Sequence, residues 1–107
     1  MTNGRPVGSG YRTIEVKLRT DNPGYHFFVG RALYQEIGEP KRLDIVEVSR
    51  YVYRLVEVRY DNEGWAVVGG QGMPRLSVGK AQIDFLQLDE GVYPAEVVDG
   101  VIQFSTL

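Results

Sequence analysis

The chain contains no cysteine and only one histidine among its 107 residues. The missing thiols exclude disulfides, thiolate catalysis and Cys-ligated zinc. A domain without cysteine is typical of the cytoplasm, which is the compartment we predict. Because His26 stands alone, two-histidine metal sites are excluded, and a Ser-His triad would depend on this one residue. We therefore predict a protein without a metal site, without a cofactor and without enzymatic activity.

Long hydrophobic runs are also missing. No stretch approaches the roughly 18 consecutive apolar residues that a membrane-spanning helix needs, so we expect no membrane partner. The first ten residues lack the apolar segment of a signal peptide and contain three glycines and a proline. Residues 1–10 are thus predicted to be a flexible leader, followed by a single β-rich domain over residues 11–107.

The residues that are present are typical of a globular domain. Hydrophobic residues make up 43% of the chain, and the formal net charge is -2. The charge is unevenly distributed, because residues 1–59 carry ten Lys or Arg against seven Asp or Glu, whereas residues 60–107 carry two against seven. A basic first half can face an anionic partner, and the alternative is ordinary solvated charge on strand surfaces.

Alternation of apolar and polar residues predicts short strands along most of the chain. Gly38 and Pro40 are typical of a helix end, Asp99-Gly100 is a preferred hairpin turn, and Pro94 suggests an edge strand. The fold class predicted is mostly β with two short helices, arranged as a small barrel. The strands are expected at residues 11–19, 25–29, 42–48, 51–60, 65–68, 75–78, 92–98 and 101–104, and the helices at 31–37 and 80–86.

The sequence contains an internal similarity at an offset of 49 residues. Phe28-Val29-Gly30-Arg31-Ala32 and Ser77-Val78-Gly79-Lys80-Ala81 both contain Val-Gly-basic-Ala. In both places a short strand leads into a short helix, a glycine and a hairpin. We predict that residues 25–60 and 75–104 are two pseudo-repeats related by an approximate two-fold axis, and chance similarity is the alternative.

This layout resembles the AbrB/SpoVT/MazE-type swapped-hairpin domain. Residues 76–102 resemble one copy, and residues 28–58 resemble a second. The resemblance implies a swapped-hairpin barrel, usually built from two chains, and DNA binding through basic residues, as in many transcription regulators and antitoxins of this type. The basic position at the helix start of the family's pattern falls on Arg31 and Lys80. A homodimer is one expected arrangement, and a chain that carries both halves itself is the other.

The segment over residues 49–60 mixes tyrosine, arginine and aliphatic residues. Along a strand, one face carries Tyr51, Tyr53 and Arg59, and the other carries Arg50 and Arg54. Tyrosine rings can stack on bases and guanidinium groups can neutralise phosphates. The alternative is that the tyrosines pack across strands while the arginine stems cover apolar surface.

Two functions remain open at this point. The first is a non-enzymatic, AbrB-like DNA-binding transcription regulator, which the resemblance and the basic first half favour. The second is a protein-interaction module without nucleic-acid binding, for example a phage or mobile-element accessory protein. The negative net charge favours this second function, as do Gly30 and Gly79, which stand where the family usually has proline. The residues predicted to bind nucleic acid or a protein partner are Arg31, Arg50, Tyr51, Tyr53, Arg54, Arg59 and Lys80.

Overall fold

The computed structural model describes residues 12–20 and 23–106. The predicted leader and the turn residues Asp21 and Asn22 lie outside the described residues. The described part of the chain forms eight strands and two helices, which confirms a mostly β fold with two short helices. In chain order these are β1 (Thr13–Leu18), β2 (Tyr25–Val29), α1 (Arg31–Glu36), β3 (Arg42–Ser49), β4 (Val52–Glu57), β5 (Trp65–Ala66), β6 (Arg75–Val78), α2 (Lys80–Phe85), β7 (Gly91–Val98) and β8 (Val101–Ser105).

The strands form one antiparallel sheet in the order β5-β3-β4-β8-β7-β1-β2-β6. The two ends of this order are joined by a single bridge between Val68 and Arg75. The sheet is therefore a nearly closed barrel. Closure matters because it removes most of the exposed strand edges that would otherwise pair with other chains.

Alternate residues of each strand fill the interior of the barrel. The largest of them are Phe27, Tyr53 and Phe104, all at least 98% buried. Phe104 contacts both of the others, with ring centroids 5.7 Å from Phe27 and 5.3 Å from Tyr53. The helices close the core with Leu33 and Tyr34 of α1 and with Ile83 of α2.

Strand pairing follows the offset seen in the sequence. β2 pairs with β6 and β4 pairs with β8. Phe27 lies opposite Leu76, and Arg54 lies opposite Gln103, so that both pairs join residues 49 positions apart. Where two equivalent strands pair antiparallel, an approximate two-fold axis passes between the two residues of such a pair. That the two units superpose as a whole stays a prediction.

The backbone around the two helices has the same correspondence. Four hydrogen bonds near α1 have counterparts near α2 at the offset of 49. The donor and acceptor pairs are Tyr34 to Gly30 and Ile83 to Gly79, Ile37 to Leu33 and Leu86 to Gln82, Gly38 to Gln35 and Gln87 to Asp84, and Glu39 to Tyr34 and Leu88 to Ile83.

The edge position predicted for Pro94 is wrong. β7 lies between β1 and β8, and Pro94 is opposite Thr13, the first residue of β1. The register of β7 with β8 ends at the pair of Ala95 and Phe104, one residue short of Pro94. The proline therefore interrupts no hydrogen bond between these two strands, although it lacks an N–H group.

No helix of the described residues is long and apolar enough to cross a membrane.

Candidate functional site

The seven residues predicted to bind a partner lie on separate parts of the barrel. Arg31 begins α1 and Lys80 begins α2. Tyr53 and Arg54 lie within β4, while Arg50 and Tyr51 form the turn before it and Arg59 follows it. The chain segment of residues 50–59 thus extends along the full length of β4 and does not bring its cations to one point.

Tyr53 is a core residue. Its side chain is 2% exposed, its hydroxyl donates a hydrogen bond to the carbonyl of Leu86, and its ring stacks on Phe104. Burial, followed by the nearby charge of Glu47 and by Tyr93, raises the pKa of Tyr53. A ring in this position does not face solvent, so it is not available to stack on a base.

The arginines around β4 have different surroundings. Arg54 points outward, and its Nε donates a hydrogen bond of 2.8 Å to Oε1 of Gln103. The guanidinium of Arg50 lies 5.0 Å from the ring centroid of Tyr51, and a cation–π contact at such an exposed turn contributes about 0.5–1 kcal/mol. Arg59 lines a cleft that also contains Glu57, so its surroundings are of mixed charge.

Arg31 and Lys80 are both engaged within the chain. Nη1 of Arg31 donates hydrogen bonds to the carbonyls of Gly70 (3.1 Å) and Gly72 (3.0 Å). Nζ of Lys80 lies 2.7 Å from Oδ2 of Asp84, and this hydrogen bond, together with the charge of Asp84, raises the pKa of Lys80. Because β2 and β6 are antiparallel and each leads into its helix, the two cations lie at opposite ends of the β2–β6 pair.

The outer surface of β1, β2 and β6, named here the β1-β2-β6 face, is the most basic and aromatic surface that the strands build. The alternating burial of these strands turns their remaining residues outward. The pairing registers align the outward residues in two rows across the sheet. The rows are Lys17, His26 and Ser77, and Glu15, Phe28 and Arg75.

Two cations flank a pair of rings on this face. The centroids of His26 and Phe28 are 5.4 Å apart with an interplanar angle of 44°. Lys17 is the cross-strand neighbour of His26, and Arg75 is the neighbour of Phe28. Directly paired residues have Cβ atoms about 4.5–5.5 Å apart. Sheet surfaces that carry rings beside cations can hold phosphates and stack on unpaired bases.

A glycine-rich loop over residues 69–72 borders one end of the β1-β2-β6 face. Arg31 binds its carbonyls, as described above. Gly69 has φ +68°, and a Cβ added to it would lie 2.5 Å from Nη1 of Arg75 and 2.7 Å from the carbonyl oxygen of Met73. Two arginines therefore pack against this loop, and only glycine fits at position 69.

No motif in the sequence points directly to the β1-β2-β6 face. Phe28 and Arg75 are 47 residues apart, and only the pairing of β2 with β6 makes them neighbours. The information that was available is the alternation within β1 and β2, which turns Lys17, His26 and Phe28 away from the core.

No group of three or more His, Asp or Glu side chains that could hold a metal ion occurs within residues 12–20 and 23–106. Comparisons of the chain with protein-family models, with curated proteins and with solved structures give no significant match.

Proposed function

We propose that the chain is a non-enzymatic, AbrB-like regulator that binds duplex DNA through the β1-β2-β6 face. The observation that carries the proposal is the pair of rows in which Lys17 and Arg75 flank the rings of His26 and Phe28. Phosphate contacts supply most of the affinity of such a surface, and the rings add contacts to sugar and base edges.

The spacing of the basic helix starts supports this proposal. Arg31 and Lys80 each lie four residues beyond the central pair of Phe27 and Leu76. At about 3.3 Å per residue the two cations are about 26 Å apart along the strands. This distance is shorter than one turn of B-DNA, which is about 34 Å. One duplex can therefore contact both ends of the β1-β2-β6 face.

The opposite side of the barrel makes a contrast in charge. The outward ionisable residues of β3, β4 and β7 balance one another, with Arg42 and Arg54 against Asp44 and Glu96, whereas on the β1-β2-β6 face Lys17 and Arg75 outnumber Glu15. An approaching polyanion is thus directed to the β1-β2-β6 face rather than to this side.

The test is fluorescence anisotropy with a labelled duplex of random sequence, at salt from about 50 mM to about 200 mM. Four phosphate contacts, by Lys17, Arg31, Arg75 and Lys80, give a slope of log affinity against log salt of about -3 to -4. Lys17→Ala and Arg75→Ala should each make the slope less steep by about one. Arg59→Ala is the matched control, because it removes an exposed cation outside the face and should leave the slope unchanged.

Phe28→Leu separates stacking from charge. It keeps an apolar side chain but removes the ring, and it should weaken binding to a single strand by about 1–3 kcal/mol if the ring stacks on a base. Absence of binding to duplex and to single strands at about 50 mM salt, where screening is mild, would refute nucleic-acid binding altogether.

The second candidate function is the protein-interaction module. It is supported by Phe85, the last residue of α2, which is 84% exposed. Phenylalanine is enriched in protein–protein interfaces, and a ring this exposed can bury its surface against a partner. Unchanged nucleic-acid binding by Phe85→Ser, combined with the salt slope above, would favour the regulator over this module.

A further inference from the structure

The outer surface of β3, β4, β8 and β7, named here the β4-β8 face, has a charge pattern that is complementary to itself. The registers align one outward residue from each strand in a single row across it. In the order of the strands, the row is Val46, Arg54, Gln103 and Glu96. Arg54 lies one strand away from Gln103 on one side, and Glu96 lies one strand away on the other.

Neither charge in this row has an ionic partner among the described residues. Arg54 donates through Nε to the neutral side chain of Gln103, which leaves its Nη groups without a carboxylate. Glu96 is exposed, and it makes no hydrogen bond or ion pair with any residue in the described part of the chain. The row therefore presents one cation and one anion to whatever packs on the face.

We propose that a second copy of this chain packs face to face on the β4-β8 face. The two-fold axis would run parallel to β8 and pass beside Gln103. Neighbouring strands are about 4.8 Å apart, so Arg54 and Glu96 lie at equal distances on either side of this axis. The rotation brings Arg54 of each copy over Glu96 of the other. Stacked sheets are about 10 Å apart, a gap that an arginine and a glutamate bridge together.

The same rotation also brings apolar residues of the two copies together. Val52 of β4 lies opposite Ser105 of β8, and Val52, Ser105 and Pro94 line one shallow hollow. The rotation brings Val52 of one copy over Pro94 of the other. Val46, at the end of the charged row, is 37% exposed. The self-complementary order of both rows is the reason that we assign a second copy, rather than an unrelated protein, to this face.

The size of the face limits the strength of the dimer. A standard interface buries about 800 Å² per partner, an eighth of the 6508 Å² that the chain exposes. Four strands of about six residues cover a patch of about 19 by 20 Å, which is about half of the standard area per partner. We therefore expect a weak dimer. The face lies across the barrel from the β1-β2-β6 face, so this inference does not depend on the proposed function.

Sedimentation velocity tests the proposal at concentrations from about 10 µM to about 1 mM, the range of weak association. The wild-type chain should pass from monomer to dimer. Arg54→Glu and Glu96→Arg should each raise the dimer dissociation constant about tenfold or more, because two contacts turn from attractive to repulsive. Glu63→Arg makes the same change of charge in an exposed loop residue outside the face and should leave the dimer unchanged.

A mixture of the two variants gives the decisive result. When Arg54→Glu meets Glu96→Arg, both contacts of the mixed dimer again join opposite charges. The mixture should therefore dimerise at concentrations at which each variant alone stays monomeric. A contact between Arg54 and Glu96 of the same chain would be restored only by making both substitutions in one chain. It therefore cannot explain dimerisation of the mixture. Thermal unfolding of each variant shows whether it is folded.

A cysteine variant keeps the proposal testable should a charge reversal unfold the chain. The chain has no cysteine of its own, so Gln103→Cys carries a single thiol beside the proposed axis. A short bis-maleimide should link two copies of this variant efficiently and should not link Glu63→Cys. A wild-type chain that stays monomeric at about 1 mM, a mixture that stays monomeric, or equal linking of the two cysteine variants would overturn the proposal.

Discussion

Gly64 is the position at which the backbone tolerates a side chain least. It has φ +60°, and a Cβ added there would lie 2.8 Å from the carbonyl carbon of Leu43 and closer still to the oxygen of that carbonyl. Leu43 is fully buried and pairs with Trp65 of β5. Arg42 also donates a hydrogen bond of 3.1 Å to the Gly64 carbonyl. The obstacle is therefore the backbone of β3, which its pairing with β4 and β5 holds in place.

The expected loss of stability has two parts. A residue other than glycine in the left-handed region costs about 1–2 kcal/mol. Ordinary contact begins at 3.4 Å, so the Gly64→Ala Cβ also forces β3 and the loop apart by about 0.6 Å or more. We expect that shift to weaken the hydrogen bonds that join β3 to β5, each of which contributes about 1 kcal/mol. Gly64→Ala should thus cost about 2–3 kcal/mol beyond the φ strain alone.

Gly100→Ala is the matched control. Gly100 has φ +80° in the turn between β7 and β8, and a Cβ there meets no atom within 4 Å, so the substitution costs φ strain only. Urea unfolding followed by circular dichroism should give the two losses, and the melting temperature of Gly64→Ala should lie about 8–20 °C below that of Gly100→Ala. Equal losses in the two variants would show that β3 yields freely and would refute the steric argument.

Two further outcomes concern Tyr53 and Arg31. Burial raises the pKa of Tyr53 in the native state, so its contribution to stability is complete below about pH 10 and is lost as the pH rises through the native pKa. Urea unfolding from pH 9 to pH 11 should show a smaller alkaline loss for Tyr53→Phe, whereas Tyr60→Phe, at a position 70% exposed, should behave like the wild type. Arg31→Ala removes both hydrogen bonds that Nη1 donates to the carbonyls of Gly70 and Gly72, and the loss of two bonds of about 1 kcal/mol each should speed amide exchange in residues 69–72 about thirtyfold.

The sequence predicted secondary structure well because the determinants are local. Alternation over a few residues is enough to identify a strand. Gly38 has φ +91°, a conformation that glycine adopts readily, and it therefore ends the helical segment that begins with α1. β5 is the main departure, since residues 65–68 were expected and only Trp65–Ala66 form the strand. Gly64 and Gly69, both at positive φ, confine it on either side.

The choice between the two faces of a strand could not be made locally. In the segment of residues 51–59 both faces carry tyrosine, arginine or aliphatic residues, and alternation alone does not say which one turns inward. The contact of Tyr53 with Phe104, which is 51 residues away, decides it. The same limit applies to the β1-β2-β6 face, because its rows join side chains from three strands that are distant in sequence.

The pairing of Arg54 with Gln103 shows what a single chain gains over a barrel made of two identical chains. Identical chains must put the same residue on both sides of their symmetry axis, so an arginine at this position would face another arginine. Here the equivalent position holds an amide, and the two side chains form a hydrogen bond of 2.8 Å. Covalent linkage also makes closure of the barrel a unimolecular event, so its stability does not fall as the protein is diluted. Residues that face each other across the predicted axis are thereby free to differ.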